Sequence, residues 1–83
     1  MNSKEFNKLD LTHRFTLVYN IGEFIAAINF TDFKVSLYLV ANHFVEVYFN
    51  AKSDTIDEIK TLEGTEPRLS LYASGVNIQD LYR

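Results

Sequence analysis

Two histidines, His13 and His43, are the side chains of this sequence that titrate near neutrality unaided, so acid–base or metal chemistry would have to start from them. Neither has the company such chemistry needs. No second histidine stands one helical turn away from either, and no HExxH spacing occurs. Both read as surface or boundary residues. Asp54, Asp57, Glu58, Glu63 and Glu66 form a loose acidic stretch. A calcium loop would place oxygen ligands at alternate positions around a sharply turning glycine, and that pattern is missing. The stretch reads as a solvated edge, whose charge also discourages sheets from pairing edge to edge. Ser36, Ser70 and Ser74 have no base beside them in the sequence, and the three glycines are isolated, so no GxSxG, GxGxxG or phosphate-cradling loop exists. With no Cys there is no thiolate nucleophile, thiolate metal site or disulfide. No catalytic residue, cofactor site or metal ligand is predicted, and the reading leans away from an enzyme.

One carboxylate stands apart. Glu46 lies in the middle of HFVEVYFN, between Val45 and Val47, in a segment otherwise crowded with bulky apolar side chains. It is either a rim charge with its head in water and its stem on aromatic rings, or a partly buried carboxylate serving as hydrogen-bond acceptor or base. The first reading is preferred, because a lone carboxylate without catalytic companions seldom makes an active site.

The elements around it follow from pattern. Eighty-three residues make a single domain over 1–83, small enough to depend on efficient packing or on oligomerisation. The apolar fraction of 47% argues for a packed core and against disorder. Asn2 followed by Glu5 fits a capping box. Phe6, Leu9, Leu11, Phe15, Leu17 and Val18 then recur with helical spacing, predicting a helix over 4–20, with a break near Asp10 as an alternative. Gly22, expected at positive φ, ends it. EFIAAINF, FKVSLYLV and HFVEVYFN are rich in β-branched and aromatic residues and are separated by short polar breaks, which predicts an antiparallel meander. Thr55–Leu62 reads as a fourth strand, against a short helix capped by Asp54. The tail reads as two helical pieces, one entered at Pro67 and carrying Leu69 and Tyr72, the other capped by Asn77 and carrying Ile78 and Leu81.

Segregating apolar residues onto one face selects a register. A three-residue connection, Ala41-Asn42-His43, pairs Leu39 with Val45 and Leu37 with Val47. A two-residue connection would set an apolar residue of the second strand against Glu46, and the first register is preferred. In the first hairpin Ile28 pairs with Val35, Ala26 with Leu37 and Phe24 with Leu39. The predicted core face is Phe24, Ala26, Ile28, Val35, Leu37, Leu39, Val45, Val47 and Phe49, with the N-terminal helix across it. The opposite face then holds Ile25, Tyr38, Val40, Phe44, Glu46 and Tyr48, with Glu46 opposite Tyr38. That face is too apolar to be left to water and is the candidate interaction face. The C-terminal tail, a second copy of the chain, or a ligand would cover it.

The run from FKVSLYLV through HFVEVYFN and TIDEIKTLE to LSLYASGVNIQDLY resembles a group of short uncharacterised bacterial proteins. In these a helix precedes a strand meander centred on an F-x-V-E-V-like segment, and a short helix follows. The resemblance spans residues 11–82. It implies the α+β architecture and favours a strand at Thr55–Leu62, and it implies no activity, catalytic residue or cofactor.

A net charge of −3 without a basic cluster disfavours nucleic acid as a partner. The apolar runs are far too short for a membrane span, and MNSKEFNKLD has no apolar signal region, so a cytoplasmic location is expected. The expected function is a protein-interaction or regulatory module that self-associates through the second sheet face. The alternative is a small-molecule binding protein, less readily an enzyme, with a shallow site between the sheet and the C-terminal tail.

Overall fold

A computed structural model describes residues 3–63 and 67–74. Two helices, α1 (Ser3–Asn7) and α2 (Leu11–Ile21), precede four strands, β1 (Glu23–Phe30), β2 (Phe33–Val40), β3 (His43–Asn50) and β4 (Thr55–Leu62). A third helix, α3 (Arg68–Ser74), follows. The strands form one antiparallel sheet in the order β1-β2-β3-β4, an α+β meander as the sequence predicts. Thr55–Leu62 is a strand, and Asp54, weighed as a helix cap, is instead a turn residue with φ 60°. Asn2, Gly75 and the segment with Asn77, Ile78 and Leu81 lie outside the described residues.

The N-terminal helix is broken at Asp10. This residue adopts an extended backbone and accepts the amide of His13 on its Oδ1 at 2.9 Å, while the His13 Nδ1 lies 2.7 Å from the same oxygen. These contacts hold the Asp10 carboxyl below its ordinary pKa, the backbone hydrogen bond contributing most. Such a cap satisfies an amide that the helix itself leaves orphaned. Arg14 then ties the pieces together. Its guanidinium donates to the carbonyls of Asn7, Leu9 and Ile59 at 2.7–2.9 Å and lies 5.7 Å from the centre of the Phe6 ring.

Gly22 ends α2, but not at positive φ as expected, for its φ is −74°. A glycine is needed for a steric reason: a Cβ there would stand 2.3 Å from the Val18 carbonyl oxygen, which the Gly22 amide approaches as donor. The β2–β3 connection also departs from expectation. It has two residues, Ala41 (φ 48°) and Asn42 (φ 68°), with Val40 paired to His43, Leu39 to Phe44 and Leu37 to Glu46. Positive φ at both positions is the hairpin geometry whose twist matches that of the flanking strands. The predicted three-residue register is therefore shifted by one: β3 keeps its predicted sides relative to the N-terminal helices, and the β2 side chains lie on the faces opposite to those predicted. In the first hairpin Ile28–Val35 and Ala26–Leu37 pair as predicted, but a bulge at Ile25 slips the end so that Phe24 meets Tyr38 rather than Leu39.

The predicted single core face thus divides between the two sides of the sheet. On one side Phe6 of α1 and Val18 of α2 pack onto Val40, Val45, Val47 and Ile59. On the other side Ile28, Val35, Leu37 and Leu62 pack against Tyr72 of α3, with Leu69 beside it. The reason is composition: apolar residues occupy both parities of β2 and β3, so each face needs its own cover.

Candidate functional site

Of the six residues predicted to share one interaction face, the structure keeps four together. Tyr38 and Val40 belong to the side covered by α1 and α2, where Val40 is buried. Ile25, Phe44, Glu46 and Tyr48 lie on the α3 side, Ile25 brought there by its place in the bulge. The C-terminal helix, one of the three covers expected for that face, packs onto it there.

Glu46 is the centre of that covered side and is 0% exposed. Its strand neighbours are Leu37 on β2 and Lys60 on β4, not Tyr38. The Tyr48 hydroxyl donates to Oε1 at 3.1 Å, and the Tyr72 hydroxyl of α3 donates to Oε2 at 2.8 Å. The Lys60 ammonium sits 5.0 Å from the centre of the Tyr48 ring. A buried carboxyl is tolerable only when its oxygens find donors, and here a phenol reaches each oxygen. This arrangement anchors α3 to the sheet. Among the described residues the carboxyl is fully enclosed, which fits a structural contact better than an accessible base. The sequence pointed to Glu46 and to its side of the sheet but not to its partner, because Tyr72 lies 26 residues away in a separate helix.

Beside this anchor is a shallow apolar hollow of about 290 Å³, lined by Ile25, Leu37, Phe44, Leu69 and Tyr72. It corresponds to the cleft between sheet and tail that the sequence suggested as an alternative ligand site.

A larger apolar surface lies on the other side of the sheet. Leu11, Phe15 and Tyr19 follow one another at i, i+4 and i+8 along α2, which aligns them on one stripe. They are 41%, 44% and 79% exposed, and Phe24 at the start of β1 is 57% exposed. Leu11, Thr12 and Phe15 form one wall of a hollow of about 450 Å³ whose other walls are Phe49, Ile56 and Asp54. Phe15 and Ile56 also border a second hollow of about 260 Å³ running on past Tyr19 to Phe24, Tyr38 and Val47. The Phe15 and Tyr19 rings stack at 6.1 Å, and the Phe24 ring meets Tyr38 edge-on at 5.6 Å. Sequence reading counted Leu11 and Phe15 as inward-facing helix residues. The signal that would have exposed the error is the helix break: capped at Asp10, α2 buries its Val18 side, and the line through Leu11, Phe15 and Tyr19 falls beside that contact.

His13 pairs with Asp10 at the start of α2, and His43 opens β3. Among the acidic residues, Asp57 accepts Thr55 Oγ1 and Asn50 Nδ2, which hold its carboxyl below the ordinary value, Thr55 contributing most. Asn50 also receives the amides of Lys52 and Ser53, so this part of the acidic stretch organises the β3–β4 turn. Among the described residues no three His, Asp or Glu side chains gather as a metal site would require, and no helix is long and apolar enough to cross a membrane. No protein-family model, curated protein or solved structure matches this chain.

Proposed function

We propose that this chain is a cytoplasmic protein-interaction module whose contact surface is the apolar stripe of α2 together with the start of β1. One observation carries the reading: Leu11, Phe15, Tyr19 and Phe24 stand exposed around two joined apolar hollows. Taking about 200 Å² for a large apolar side chain, the four present roughly 450 Å² to water. Patches of this size on small domains tend to be functional surfaces. The absence of Cys fits a reducing compartment. This surface differs from the sheet face expected from sequence, whose residues lie on both sides of the sheet.

The test compares wild type with a Phe15→Ser/Tyr19→Lys variant, both checked for fold by circular dichroism. Because the two side chains are half or more in water, melting should change little. Binding of an apolar dye, molar mass in solution, or both should change. A variant that matches the wild type in both measurements overturns the reading.

A second reading draws on the hollow between the sheet and α3. Its walls of Ile25, Leu37, Phe44 and Leu69 suit a small apolar ligand oriented by the Tyr72 phenol. Such a ligand stabilises the native state by mass action. A melting temperature that no compound in an aromatic and short-acyl library raises weighs against it.

A further inference from the structure

Resting on the reading of α2 as a contact surface, we infer that its partner is a second copy of this chain, docked so that the two α2 helices lie antiparallel about a two-fold axis near Phe15.

The spacing of the stripe makes the surface self-complementary. Leu11 and Tyr19 are each four residues from Phe15, so a two-fold axis through Phe15 lays Tyr19 of one copy over Leu11 of the other, and reciprocally. Leu11 borders the larger hollow, and Tyr19 is the most exposed apolar side chain of the stripe, at 79%. A projecting ring therefore meets a recess, twice. The recess has the chemistry a tyrosine needs. Phe15, Phe49 and Ile56 supply apolar walls, while the Asp54 carboxylate and the Thr12 hydroxyl at its margin offer acceptors for the phenol. Its volume of about 450 Å³ admits the ring with room for the partner's helix to approach.

Area and charge agree with this occupant. Two copies of the stripe present about 650 Å² of apolar surface, or about 900 Å² with Phe24 of each copy, and the hollow floors and polar rim bring the contact to the roughly 1,000 Å² at which specific interfaces begin. Among the described residues lining the two hollows, Asp54 is the charged one. A strongly basic or acidic partner would find little to pair with. An uncharged aromatic patch of matching shape is what fits, and the chain carries one. Repulsion between two copies of net charge −3 is spread over their surfaces and screened within about 8 Å at physiological salt.

The decisive experiment measures molar mass by sedimentation equilibrium between 1 and 200 µM, for wild type and Tyr19→Lys, with dye binding recorded on the same samples. Dimer in the wild type and at least tenfold weaker association in Tyr19→Lys are expected. Because the chain has no Cys, a single Phe15→Cys can be linked by a short bis-maleimide. The two-fold axis predicts efficient Phe15–Phe15 linkage, and likewise linkage between Leu11→Cys and Tyr19→Cys copies when these are mixed. A wild type that stays monomeric to 200 µM, yet binds dye that Tyr19→Lys loses, overturns the second copy as partner and leaves the contact surface standing. A monomer whose dye binding is the same in both proteins overturns both. A dimer that Tyr19→Lys does not weaken, or that fails to link through Phe15→Cys, places association elsewhere and overturns the inference.

Discussion

Replacing Glu46 by Met removes an acceptor from two phenols while keeping a flexible side chain of similar length. The Tyr72 hydroxyl, on a buried residue, would be left without the oxygen it meets at 2.8 Å, and Tyr48 would lose its 3.1 Å contact. Stranding a buried donor costs about 1–3 kcal/mol, and a half-buried one that water can reach costs about 0.5–1 kcal/mol. The single substitution should therefore destabilise by about 2–4 kcal/mol, a large share of the roughly 5–10 kcal/mol expected for a domain of this size. At about 4–8 °C per kcal/mol, melting should fall by about 8–32 °C. The informative comparison adds Tyr48→Phe and Tyr72→Phe to the same protein. With these two donors and their shared acceptor removed together, the stranding of the Tyr48 and Tyr72 hydroxyls is undone, and the triple variant should be clearly more stable than Glu46→Met alone. Urea unfolding followed by circular dichroism measures all three proteins. A Glu46→Met variant within 0.5 kcal/mol of wild type, or a triple variant no better than the single one, would refute the account of Glu46 as the anchor of α3.

Arg14→Ala should cost about 2–3 kcal/mol, because three carbonyls lose a charged donor. Lys should restore little of that by urea unfolding, since one ammonium cannot reproduce the planar fork. Ala41→Gly should stabilise by about 0.5–1 kcal/mol, the relief of a left-handed alanine exceeding the entropy glycine loses. Thermal melting reads it directly. The carboxyls of Asp10 and Asp57 are both held below their ordinary pKa, so the stability they contribute is complete above the ordinary carboxylate range and is lost as pH falls through the depressed values. Asp10→Asn keeps a cap but removes one titrating group, and should flatten the acid limb of a stability–pH curve measured from pH 2 to 7.

The order and type of the elements were legible because each signal is local: the aromatic and β-branched runs, the polar breaks, and Asp10 as a second helix start. The allocation of faces was not. Choosing between hairpin loops of two and three residues rested on keeping Glu46 away from buried apolar partners, a rule that holds only when no donor is available. Tyr72, in a helix far along the chain, supplies one, and the turn at Ala41-Asn42 then takes the two-residue form that strand twist favours. The bulge at Ile25 was equally invisible, since a run such as EFIAA has no glycine to mark it. The exposure of Leu11 and Phe15 has a related cause: helical spacing reveals that a stripe exists, and not which of two neighbouring stripes the sheet takes.

These errors have one origin, an excess of apolar surface over cover. A meander with large apolar side chains on both faces of its central strands needs a layer on each side. The described helices are short, with five residues in α1, eleven in α2 and seven in α3. On the α3 side the shortfall is made up by a polar device, in which a carboxyl fastens the helix through Tyr72 and so lets a seven-residue helix hold its place. On the α2 side no such device is needed, because Val18, Phe6 and the Arg14 strap seat the helices over Val40, Val45 and Ile59. What that seating leaves over is the sheet margin at Phe49, Ile56 and Phe24, with Leu11, Phe15 and Tyr19 leaning beside it. Folding alone gains nothing from keeping Tyr19 four-fifths in water, since an exposed aromatic adds little to stability and raises the risk of aggregation. A stripe of three such residues on one helix, bordered by hollows of matching size, is instead what association would require.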